Sequence, residues 1–428
     1  MSKRNRIILI AVISTLLVAA AAVALALASR KADPTPTPEP TAAPTASPEP
    51  TLTLEPEETV SASIAVGGDV VMHTGLNTEA KTETTYDYTP IFGIVTDEIA
   101  SADYSVCTLV TTFDTGADYS SFPLFKSPHA LADSLAGVGF DLVNTATSHA
   151  MDSYKTGLDN TLDVLDSAGL DHVGTYRTSE ERDAANGITM VDINGISVAF
   201  MAYTCDTNGI PVTGFEHAVN CCTTDYLSGQ SRIDYDLLAA DMAAARESGA
   251  DIIFVFMSWG GEFETAPSEM QNDLADYLFE QGADVIIGGH TRVPQPMEMR
   301  EVTDIAGDTK TGYICYSLGN LISCQNDIYT NISAIVNIEL TKGADSGKAW
   351  VSQVTYEPIY MVDLYDYGID DYGWHYRLAN LHAAIDAYDS GEPWAFMTGE
   401  IYVDMVSALE DLHGFFGAEL DRQNVEEG

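Results

Sequence analysis

From residue 62 onward, short apolar runs alternate with amphipathic helical segments, and several runs end in glycines followed by a polar residue. No other feature of the chain narrows the fold as much. Runs such as Ile252 to Met257 and Val285 to Ile287 are apolar on both faces, so their sheet needs cover on both sides. A layered α/β domain supplies that cover. Ser63-Ile64-Ala65-Val66 predicts a strand ending in Gly67-Gly68-Asp69, and Phe140 to Val143 predicts another. Ser127-Pro128 predicts a helix start, with Ser as cap and Pro in the first turn, ahead of Leu131, Leu135 and Val138 on one side. Helices are expected over Gly157 to Ala168, Leu237 to Glu247 and Pro267 to Gln281, and a hairpin over Ile188 to Tyr203 turning at Asn194-Gly195. Tyr313 to Leu318 and Ala334 to Leu340 read as further strands.

Ahead of this pattern, Ile7 to Ser29 carries no charge, and at ~1.5 Å per residue it is long enough to cross a ~30 Å hydrocarbon layer. Three positive residues precede it and two follow, so the expectation is a single-pass membrane anchor with residues 32–428 extracellular. A cleaved signal peptide ending at Ala26-Leu27-Ala28 is the competing reading, against which the length of the apolar run counts. Eight prolines between Pro34 and Pro56 then predict an extended spacer. The chain carries 19 Lys and Arg against 64 Asp and Glu, a net charge of −45. Such a surface excludes nucleic-acid binding by backbone charge, and an anionic substrate would need a local cation.

Six cysteines, at 107, 205, 221, 222, 315 and 324, form no Cys-x-x-Cys pair. Cys107 and Cys315 read as buried thiols, and a Cys205 bridge to Cys221 or Cys222 is open. Beyond residue 341 the composition shifts to Tyr, Asp and Trp, with helices expected near Tyr376–Tyr388 and Thr398–His413. The expected organisation is 1–31, cytoplasmic tip and transmembrane anchor; 32–60, linker; 61–340, main α/β domain; and 341–428, a C-terminal extension packed on it.

In layered α/β domains, ligands gather at the carboxyl ends of strands. Gly68-Asp69, Thr145 to Asp152 with His149, Ser258 to Glu262, and Gly289-His290 all place polar residues there. One carboxylate and two imidazoles, Asp69, His149 and His290, suit a first-row divalent ion.

The same segments, in order, resemble a known family. Gly-Asp-Val-Val-Met at 68–72, Ala-Thr-Ser-His-Ala-Met-Asp at 146–152, Trp-Gly-Gly-Glu-Phe at 259–263, Gly-Ala-Asp-Val-Ile-Ile-Gly-Gly-His at 282–290 and Tyr-Ser-Leu-Gly-Asn at 316–320 are similar to the signatures of CapA, the poly-γ-glutamate capsule synthesis proteins related to calcineurin-like metallophosphoesterases. The resemblance covers roughly 62–325. It implies a four-layer α/β/β/α metallophosphatase-like sandwich, a membrane-anchored place in the bacterial envelope, and one divalent ion (Mn, Zn or Fe) on Asp69, His149 and His290. It also implies His149 as general acid oriented by Asp152, with Glu262 and Asn320 toward substrate; Arg292, which departs from the family pattern, reads as a substrate contact from its own charge.

This chain departs from the family pattern at four places. Thr108-Leu109-Val110 stands where the family reads Asn-Leu-Glu, Thr147-Ser148-His149 for Asn-Asn-His, Ser258-Trp259-Gly260 for His-Trp-Gly, and Arg292 for the second histidine of the last pair. Valine cannot coordinate an ion, and arginine brings a permanent positive charge that favours an anion. Three readings follow: a mononuclear site with His73 or Asp114 as replacement ligand, a metal-free pocket for a carboxylate or phosphate around Arg292, and an inactive site that keeps only its fold. The functions to weigh are a metal-dependent hydrolase or transferase acting on envelope polymer, and a binding or scaffold module for an anionic polymer or an envelope-assembly protein.

Overall fold

The computed structural model describes residues 57–113, 116, 119–370 and 373–427. The uncharged segment 7–29, the linker up to residue 56 and Asp114 lie outside the described residues. No helix among the described residues is long and apolar enough to cross a membrane.

In chain order the strands are β1 (Thr59–Val71), β2 (Tyr104–Val110), the short pair β3 (Thr112–Phe113) and β4 (Lys126–Ser127), β5 (Leu142–Asn144), β6 (Asp171–Val173), β7 (Ile188–Ile193) and β8 (Ile196–Thr204). They continue with β9 (Ile252–Ser258), β10 (Val285–Gly289), β11 (Pro294–Thr303), β12 (Thr309–Leu318), β13 (Asn320–Ile322), β14 (Ile332–Gly343), β15 (Ala349–Asp363) and β16 (Tyr376–Asn380). One sheet runs β16-β15-β14-β1-β2-β5-β6, with β13 also paired to β1, and a second runs β11-β12-β10-β9-β8-β7. In the first, β1, β2, β5 and β6 are parallel while β14 to β16 add antiparallel strands. In the second, β8, β9, β10 and β12 are parallel and β7 and β11 are antiparallel edges.

The two-residue period of the strands divides the apolar side chains between layers. Ile64, Val66 and Val106 meet Val198, Phe200, Phe254 and Phe256 between the sheets. The alternate residues Ala65, Leu109 and Val143 face outward onto Leu131, Leu135, Leu158 and Leu162 of the helices Ala130–Gly137 and Tyr154–Ala168. On the far side, Ala199, Met201, Val255 and Ile286 pack on Leu238, Met242, Leu274 and Leu278 of Tyr235–Glu247 and Glu269–Glu280. The layers are therefore α/β/β/α. Past residue 341, β15 and β16 extend the first sheet, and the helices Leu381–Asp389 and Gly399–Phe416 lay Leu381, Ile401, Met405, Leu412 and Phe416 onto the core between the sheets.

The hairpin turns where expected, with Asn194 and Gly195 both at positive φ. Several local expectations are corrected. Ser127 does not cap a helix; it is buried in β4, its hydroxyl 2.9 Å from that of Thr111, and the helix begins at Ala130. Tyr376 to Asn380 is strand rather than helix because its backbone pairs with β15. At 316–320, Gly319 takes a positive φ and lets Asn320 begin β13.

Candidate functional site

The carboxyl ends of β1, β5, β8, β9 and β10 carry the polar loops. Asp69, near the end of β1, is 2% exposed. Gly289 at the end of β10 lies against it: a Cβ there would stand 2.5 Å from Asp69 Oδ1, so glycine lets the second sheet close onto the carboxylate. The His290 backbone N–H donates to Asp69 Oδ2 at 3.0 Å, and Arg292 Nη1 donates to the same oxygen at 3.3 Å. His290 and Arg292 have φ of +85° and +67°, left-handed values unfavourable for side-chain-bearing residues, so these contacts hold the turn. Arg292 Nε reaches Glu262 Oε1 at 3.4 Å; Arg292 is almost fully buried, whereas the Glu262 side chain is 44% exposed. Nη2 has no hydrogen-bond partner among the described residues.

Across the cleft, His149 Nδ1 lies 2.8 Å from Asp152 Oδ2, which leaves Nε2 as the imidazole atom available to a ligand. The Asp152 carboxylate also accepts from the Phe125 N–H at 2.6 Å and from Asn208 Nδ2 at 3.0 Å. The Phe125 ring meets His149 edge-on at 4.7 Å and fixes its plane. Ser148 Oγ lies 3.3 Å from His290 Nδ1.

Burial sets the electrostatics. It raises Asp69 above the usual carboxylate range, with Arg292 opposing the rise. Burial, with the positive Arg292 adding to it, pushes His290 down to about 3. His73 falls to about 4 for the same reasons, and its Nδ1 accepts from the Cys324 N–H at 3.3 Å. Both imidazoles are therefore neutral at pH 7.

Sequence reasoning missed two members of the site. Asp206 and Asn208 follow β8; Asp206 is buried and raised by burial, with His149, Arg292 and Glu262 acting on it electrostatically, and Asn208 bonds Asp152. The signal lay in Thr204-Cys205-Asp206-Thr207-Asn208 after an apolar run. Reading that run as the second arm of a hairpin concealed that it is also a parallel neighbour of β9. The motif residue Trp259 and the expected substrate contact Asn320 lie in the framework. Trp259 is fully buried, its Nε1 donating to Tyr316 O at 2.9 Å. Asn320, in register with Asp69, gives Nδ2 to Gln325 Oε1 at 2.9 Å and Thr330 O at 3.2 Å, while its buried Oδ1 has no partner among the described residues.

The donor set does not fit a divalent ion on Asp69. The guanidinium of Arg292 occupies one of its oxygens and opposes a second cation nearby. Among the described residues, the one group of three metal-ligating side chains with donor atoms within 4.8 Å of one another is His382, His413 and Asp421, not Asp69, His149 and His290.

Fold and site together define a layered α/β protein with a strand-end cleft, cross-braced by one buried ion pair and one His–Asp pair. The family model described as "Bacterial capsule synthesis protein PGA_cap" matches residues 63–325, and the chain belongs to this family. It is 32% identical over 209 residues to the PGA biosynthesis protein CapA of Bacillus subtilis (strain 168), covering 49% of each chain. It is 28% identical over 214 residues to the capsule biosynthesis protein CapA of Bacillus anthracis, covering 49% of this chain and 46% of that one. The chain thus spans about half the length of the curated relatives it matches. Among solved structures it is similar to a phosphatase from Mycoplasma pneumoniae (9% identity, 71% of this chain and 95% of that, TM-score 0.40). It is also similar to the calcineurin-like phosphoesterase YfkN of Bacillus subtilis (14%, 70% and 91%, TM-score 0.37).

Proposed function

We propose that this chain acts in the biosynthesis of a capsule or envelope polymer of the poly-γ-glutamate type, and that its cleft holds a carboxylate of that polymer without a metal. The observation that carries this reading is the Arg292 guanidinium, seated on Asp69 with Nη2 free of partners among the described residues. Glu262 is the exposed half of the second ion pair, and a ligand carboxylate can replace it on the outer edge of the guanidinium, where paired N–H groups match a carboxylate's two oxygens. The neutral imidazoles of His73 and His290 add polar contacts without a competing charge. The uncharged segment Ile7 to Ser29 supports a single-pass anchor with the rest of the chain outside the membrane.

Titration calorimetry of the full chain with a γ-linked glutamate oligomer, in buffer containing a chelator, tests this. Binding is expected for the natural sequence, tighter binding for Glu262→Gln, and none for Arg292→Gln. Binding that needs an added divalent ion, or that survives Arg292→Gln unchanged, contradicts it.

A second reading is favoured by the 2.8 Å His149–Asp152 contact: a metal-free hydrolase or transferase in which His149 moves a proton at Nε2 while Asp152 fixes its ring. Shortening of the oligomer on incubation, abolished by His149→Ala, is its signature; an oligomer of unchanged length excludes it.

A further inference from the structure

Far along the sequence from the cleft, in the segment beyond the family match, three side chains from three elements meet. His382 opens the helix Leu381–Asp389, His413 lies in the last turn of Gly399–Phe416, and Asp421 immediately precedes the helix Arg422–Glu427. His382 Nε2 lies 2.9 and 2.8 Å from the two carboxylate oxygens of Asp421, and His413 Nε2 lies 2.7 Å from Oδ2. Asp421 is fully buried, whereas the two imidazoles are partly open to solvent.

We propose that His382, His413 and Asp421 form a zinc site of the two-histidine, one-carboxylate type, with its fourth position open to water. Three features lead there. The donors are those that zinc takes, imidazole nitrogen and carboxylate oxygen at about 2.0–2.2 Å, and all three lie within 4.8 Å of one another. A tetrahedral ion with such bonds sets its ligand atoms about 3.3 Å apart, so the present contacts need to open by only about half an ångström. The surroundings also admit a cation: the adjacent Arg422 is turned onto Glu357 and Glu426, which neutralise it, and the protein as a whole is strongly acidic.

In the absence of an ion, each Nε2–H donates to the carboxylate, and the three groups hold one another in place. Binding zinc at Nε2 moves the proton of each neutral imidazole to Nδ1, an imidazole protonated on both nitrogens gives one proton to solvent, and no redox partner is needed. The ion would tie the C-terminal helices to the chain turn that docks on β15, where the Tyr356 N–H donates to Leu420 O at 2.9 Å. This site is independent of the cleft.

The test begins with the full chain stripped by a chelator, loaded with zinc, freed of loosely held ions and analysed for metal. One zinc per chain is expected for the natural sequence and for His149→Ala, and none for His382→Ala or Asp421→Asn. Because those substitutions can disturb packing, cobalt(II) is added in parallel to the unaltered protein, where the strong visible absorption of a tetrahedral site is expected. No retained zinc, no tetrahedral cobalt spectrum, an ion that persists in His382→Ala, or an ion lost with His149→Ala overturns the proposal.

Discussion

Arg292 alters the chemistry of the cleft more than any other single residue. Its charge is buried against Asp69, and removing one partner of a buried pair leaves the other uncompensated. Arg292→Gln is therefore expected to cost about 3 kcal/mol of unfolding free energy at pH 7 by denaturant titration, and less as the pH is lowered, because burial raises Asp69 and a proton relieves its unpaired charge. The neighbouring histidines set a pH dependence of opposite sense. His73 and His290 have folded values of about 4 and about 3, below the 6.5 of a free imidazole. The unfolded chain thus binds more protons than the folded one between these values and 6.5. The fold is undiminished above pH 6.5 and loses stability as pH falls, by on the order of 1 kcal/mol per pH unit for each histidine. Asp69 and Asp206, raised by burial, oppose this trend at the acidic end. Unfolding curves between pH 7.5 and 5 check the sign, and the double variant His73→Gln/His290→Gln should flatten the slope.

At the scale of elements, the strand ends decide whether the loops can meet. Gly288 lies where β10 passes β12, and a Cβ there would fall 1.9 Å from Tyr316 O and 2.5 Å from Trp259 Nε1. Backbone blocks the space, so Gly288→Ala should destabilise the protein by about 3 kcal/mol or more, read as a lowered denaturant midpoint. Most elements were legible because burial on both faces leaves an unbroken apolar run, as in Ile252 to Met257 and Val285 to Ile287. Where the expectation failed, a tertiary partner overrode a local signal. Phe113 drew Ser127 into the two-strand pairing of β3 with β4, and β15 drew Tyr376 to Asn380 into the sheet. The site was legible in the same measure: Asp69, His149, Asp152 and His290 stand at strand ends with recognisable spacing. Asp206 and Asn208 were hidden because sequence alone does not reveal that β8 pairs with β7 on one side and with β9 on the other.

For the whole molecule, the two sheets meet so that loops from both frame a single cleft, and its resident cation is a side chain. The sequence showed that Arg292 replaces a family histidine, but not what the guanidinium would do; that depended on Gly289 allowing the sheets to approach until Arg292 could reach Asp69. An acidic protein that presents one buried guanidinium in a cleft is suited to select a carboxylate by contact rather than by long-range attraction. The most direct measurement is a crystal of the full folded region soaked in manganese and examined by anomalous scattering. The account predicts no anomalous peak at Asp69 and the Arg292 guanidinium still in contact with its carboxylate. A peak bonded to Asp69, with Arg292 swung away, would contradict it.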